Sequence, residues 1–100
     1  MSLKFKTGRS VYAVMITERK GLAYIDGVYD DSVEIVNKAI DENIEKYKGW
    51  LLGMGYDTFV VEGEGLERTL IATGERNWHG LFEVVIRAHR ITYFRGLIQE

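Results

Sequence analysis

The chain has 100 residues and a mass of 11.5 kDa, with 46% hydrophobic and 28% charged residues. That is one globular domain with one core, and it excludes a disordered chain, a solenoid and a large multidomain enzyme. Cysteine is absent, which excludes disulfides, thiolate metal sites and a cysteine nucleophile, and a net charge of −2 is far from the basic footprint of most nucleic-acid binders.

The charge is unevenly laid out. Residues 1–25 carry five basic and one acidic side chain, residues 26–67 three basic and eleven acidic, and residues 68–100 five basic and three acidic. The pattern reads as an acidic helix flanked by mixed strands, or as a surface with a basic edge built from the terminal strands. The first residues carry Lys4, Lys6 and Arg9 with no apolar stretch and cleavage site after them, and no apolar run approaches the ~20 residues of a membrane helix. A cytoplasmic protein is expected. With no cysteine, three asparagines and one glutamine, the composition leans towards a thermophile.

Residues 10–17, Ser-Val-Tyr-Ala-Val-Met-Ile-Thr, read as a strand rich in β-branched and aromatic residues. Glu18-Arg19-Lys20-Gly21 follows as a hairpin loop with glycine in the left-handed region, and residues 22–26 return, ending at Gly27. Asp31, with Glu34 three residues on, has the form of a helix cap. Val33, Val36, Ile40, Ile44, Tyr47 and Leu51 then fall on one stripe of a helix over about 32–53, with Gly53 or Gly55 as its stop. Strands are predicted over 56–62, 66–73 and 81–94, the last bent near 88–90, with turns at 62–65 and 74–77. The expected architecture is α+β, one long helix on a mostly antiparallel sheet of about five strands in the order β-β-α-β-β-β.

That element order is similar to the longin and profilin-like domains, without their closing C-terminal helix. The likeness is one of order alone and implies a fold, not an activity.

The sheet has one face more than a single helix can cover. Phe82, Val84, Ile86 and Ala88 share one face of the last strand, while Val85, Ile91 and Tyr93 alternate with Glu83, Arg87 and His89 on the other. The first strand sets Val11, Ala13 and Met15 against Tyr12, Val14 and Ile16. A second apolar face on so small a protein marks an interface, and a homodimer is the simplest way to cover it. The alternatives are a strongly curled sheet or a C-terminal tail folded over it.

Motifs for chemistry are sparse. His79 and His89 lie in no metal-ligand spacing, no serine sits in a nucleophile elbow, and Gly53-Met54-Gly55 and Gly63-Glu64-Gly65 extend to no phosphate loop. No catalytic residue, metal or cofactor is expected. Trp78 and His79 before the last strand, and Arg87, His89, Arg90 and Tyr93 along it, are the candidate ligand- or partner-binding residues. Basic groups interleaved with aromatics on a sheet also describe a single-strand nucleic-acid surface. The leading reading is a non-catalytic module that self-associates through its sheet and binds a small ligand or protein partner. Nucleic-acid binding by the terminal strands, or an enzyme whose site forms between subunits with His79 or His89 as acid–base groups, are the alternatives.

Overall fold

The computed structural model describes residues 3–5, 9–75, 80–93 and 97–99. Among them the elements run β1 (Leu3–Phe5), β2 (Arg9–Glu18), β3 (Ala23–Asp30), α1 (Val33–Gly53), β4 (Thr58–Glu62), β5 (Glu67–Thr73), β6 (Phe82–Tyr93) and β7 (Leu97–Gln99). Five strands form one antiparallel sheet in the order β3-β2-β6-β5-β4, and α1 lies across one face of it. This is the α+β fold that the element order predicts.

The hairpin β2–β3 and the meander β4–β5–β6 meet where β2 pairs with β6. β6 is the longest strand and sits at the centre. Its partnership with β2 runs unbroken from Arg9↔Tyr93 to Glu18↔Val84, so the bend expected near residues 88–90 leaves no register shift. β1 and β7 pair in the same register, from Leu3↔Gln99 to Phe5↔Leu97, as a separate two-stranded ribbon.

The register shift falls in β3 instead. Val14 faces Gly27 but Met15 faces Ile25, so Asp26 is the extra residue of a bulge. Gly27 therefore does not end the strand. The Tyr29 ring packs over it, within 3.2 Å of where a Cβ would stand, and β3 continues to Asp30.

The apolar stripe of α1 is buried as its spacing requires: Val36, Ile40, Ile44, Tyr47 and Leu51 pack with Ala39 against Tyr12, Val14 and Ile16 of β2, Leu70 and Ala72 of β5, and Val84 and Ile86 of β6. Val33, the first position of the predicted stripe, is exposed instead. The N-cap is Ser32, whose Oγ accepts from the Ile35 N–H at 3.4 Å. Asp31, one residue earlier, is drawn away into an ion pair with Arg90 at 2.7 Å. The C-terminus closes in a Schellman arrangement: Gly55 N–H donates to Leu52 O and Tyr56 N–H to Leu51 O, with Gly55 at φ +97°. Leu51 and Tyr56 are both buried, the apolar contact that accompanies this motif.

Polar contacts fix the helix on the sheet. Arg68 of β5 donates to Asp41 at 2.7 Å and to Asn37, and the buried Asn43 donates to Asp26 of the β3 bulge at 3.0 Å and to Ala39 O. No described helix is long and apolar enough to cross a membrane.

Candidate functional site

Residues directly opposite across an antiparallel ladder point to the same face of the sheet. Tyr12, Val14 and Ile16 face α1, so their neighbours Val11, Ala13 and Met15 face away. Following the pairings outward, the face away from the helix takes Ile25 and Val28 from β3, Val85, Arg87, His89 and Ile91 from β6, Thr69 and Ile71 from β5, and Val60 from β4. No described element lies over it. Ile25 is 60% exposed, Val28 59%, Val60 49% and Ile91 42%. Isolated exposed apolar side chains are ordinary on a protein surface, but here four of them share one face, around Val11 and Ala13, which are themselves buried at 4% and 6% exposure.

The candidate residues on β6 divide between the two faces. Arg87 and His89 lie together on the open face, opposite Met15 and Ala13, and both are exposed. Arg87 reaches Glu67 of β5 only at 3.9 Å. Arg90 has the other parity, opposite Tyr12, and is held by Asp31 beside the start of α1. The backbone of Tyr93 ends β6 opposite Arg9, and its side chain lies outside the described residues, as do Trp78 and His79. The structure thus brings Arg87 and His89 together and separates Arg90 from them. Among the described residues, no group of three His, Asp or Glu side chains comes together as a metal site.

A second region has no counterpart in the sequence reading. Asn43, Lys46, Tyr47 and Trp50 follow one another along one side of α1 at helical spacing, facing Glu18 at the end of β2 and Tyr24 near the start of β3. These six residues line a cavity of about 230 Å3. Tyr47 donates its hydroxyl proton to Glu18 Oε1 at 2.9 Å and lies 2.7 Å from the Tyr24 hydroxyl. A tyrosine has one hydroxyl proton, so Tyr24 must be the donor in the second bond. The relay therefore runs from Tyr24 to Tyr47 to Glu18. Burial, then the bonds to Tyr24 and Glu18, hold the Tyr47 hydroxyl far above the usual tyrosine range, so it stays a neutral donor.

Beyond Glu18 a wider groove of about 620 Å3 opens between Arg19, Lys20, Met54, Tyr56, Leu81 and Phe82. Phe82 joins the two regions. Its ring centroid lies 5.8 Å from Trp50, 6.3 Å from Tyr47 and 6.0 Å from Tyr56. The signal available in the sequence was the Tyr47–Trp50 spacing of three on the helix. It reads equally as core, and only the hairpin packing beside it shows that Glu18 and Tyr24 complete a pocket.

No family model, characterised protein or solved structure matches this chain. The likeness to longin and profilin-like domains therefore stays one of element order.

Proposed function

We propose that this chain is a small, non-catalytic, cytoplasmic binding module that self-associates through the open face of its sheet. The observation that carries the reading is the apolar set Ile25, Val28, Val60 and Ile91, exposed on the one sheet face that no described element covers. A second copy offers the same surface, so a two-fold axis parallel to the sheet, in the plane between the two copies, would bury both faces at once. Five strands about 4.8 Å apart and about seven residues long present a face of roughly 550 Å2, so a pair would cover about 1,100 Å2, at the lower end for a specific interface. Arg87 and His89 would then meet carboxylates such as Glu67 across the contact, which fixes orientation more than it adds affinity.

Light scattering behind a sizing column tests this. The wild type is expected at twice 11.5 kDa, and Ile91→Lys at the monomer mass with its fold intact by circular dichroism. A wild type that stays monomeric at tens of micromolar would sink the reading. Absorbance at 260 nm that co-elutes with such a monomer, and is lost in high salt, would instead favour nucleic acid on Arg87 and His89.

A further inference from the structure

Three features with the same electrostatic preference converge on the pocket between α1 and the β2–β3 hairpin. The first is its walls. The Trp50 ring stands at 83° to Tyr47 with centroids 5.9 Å apart, so two aromatic rings meet at almost a right angle, and Tyr24 adds a third. Trp50 is 50% exposed, which leaves part of its indole open to solvent. The second is Glu18. Its carboxylate is half-buried, accepts from Tyr47 through Oε1 only, and has no ion-pair partner among the described residues. The third is the end of α1, whose last turn begins at Trp50 and carries no basic residue to offset the negative pole of the helix. Aromatic faces, an unpaired carboxylate and a helix C-terminus all attract positive charge.

We propose that this pocket binds an alkylated ammonium group, the head of a small organic cation. A cavity of about 230 Å3 has room for a trimethylammonium head and a short chain. The walls select this class over a metal ion or a bare ammonium, because those need several oxygen ligands or acceptors and Glu18 Oε2 is the one carboxylate oxygen left here. An alkylated cation needs none, since its charge is spread over methyl groups that lie against ring faces. The relay through Tyr24 and Tyr47 keeps Glu18 oriented and Tyr47 neutral. Lys46 at the rim makes no ion pair with Glu18, and its ammonium opposes a bound cation.

Choline and neohexyl alcohol, the neutral isostere in which carbon replaces nitrogen, separate charge recognition from simple burial. Both are titrated against the protein while the Trp50 indole N–H is followed by NMR. Choline is expected to shift that signal saturably and to bind roughly tenfold more tightly than the alcohol. Glu18→Gln keeps an acceptor for Tyr47 and should erase that advantage, with the alcohol unaffected. Lys46→Gln should tighten choline binding several-fold. The same spectra report that each variant is folded. Equal binding of the two compounds to the wild type, an unchanged preference in Glu18→Gln, or no movement of Trp50 at tens of millimolar choline would each overturn the proposal.

Discussion

The hydroxyl of Tyr47 sits where helix, hairpin and pocket meet, and its protonation is tied to the fold. Its pKa is raised mainly by burial, and that of Tyr29 is raised likewise, with the hydrogen bond to Asp26 adding to the effect. An unfolded tyrosine ionises near pH 10. Above that pH the unfolded chain has lost protons that the folded chain keeps, so stability is complete below pH ~10 and falls as the pH rises further. Chemical denaturation at a series of alkaline pH values should show this decline, with a shallower slope in Tyr47→Phe. At neutral pH that variant leaves Tyr24 and Glu18 without their shared partner, at a cost of about 1–3 kcal/mol. Ser32 offers a second residue-scale test. Ser32→Ala should lose about 0.5–2 kcal/mol in a denaturant melt by removing the helix cap, while Asp31→Ala should leave the cap bond to Ile35 in place.

At the scale of elements, α1 is the part of the fold most completely written in the sequence. Its stripe spacing follows from 3.6 residues per turn whatever it packs against, so Val36, Ile40, Ile44, Tyr47 and Leu51 could be placed without knowing the sheet. Ile40→Ala, at a fully buried position, is expected to cost about 2–5 kcal/mol, and a melt matching wild type would contradict the packing of α1 on the sheet. The cap was harder to read because Asp31 and Ser32 are adjacent and both can accept the first N–H groups. What decides between them is Arg90, 59 residues away, which takes Asp31 for itself. The bulge at Asp26 was hidden for a similar reason. Gly27 looks like a strand end, and only the Tyr29 ring over it and the bond from Asn43 to Asp26 explain why the strand goes on. The pairing of β2 with β6 brings together residues far apart in sequence, which local pattern does not encode. The same holds for the pocket, since Glu18 and Tyr24 meet Tyr47 only once the hairpin lies beside the helix.

For the whole molecule, the alternation of side chains along β2 and β6 did carry one long-range consequence. A strand apolar on both parities has two faces to cover, and α1 covers one. The ladder shows which residues are left: Ile25 and Val28 at one edge, Ile91 in the centre and Val60 at the other edge. Arg87 and His89 stand among them, so the face is amphipathic. The separate pocket beside α1 faces the opposite side of the sheet, so self-association and ligand binding need not compete.

The most direct measurement is paramagnetic relaxation of labelled Ile and Val methyl groups by a neutral soluble probe. The helix supplies its own controls, because Val33 and Ile35 are 52% and 47% exposed on α1, close to Val28 and Ile91 on the open face. A dimer through the sheet predicts that Ile25, Val28, Val60 and Ile91 relax several-fold more slowly than Val33 and Ile35, and that the gap closes on dilution. Equal relaxation of the two sets at high protein concentration would show the sheet face open to solvent, and would contradict the account.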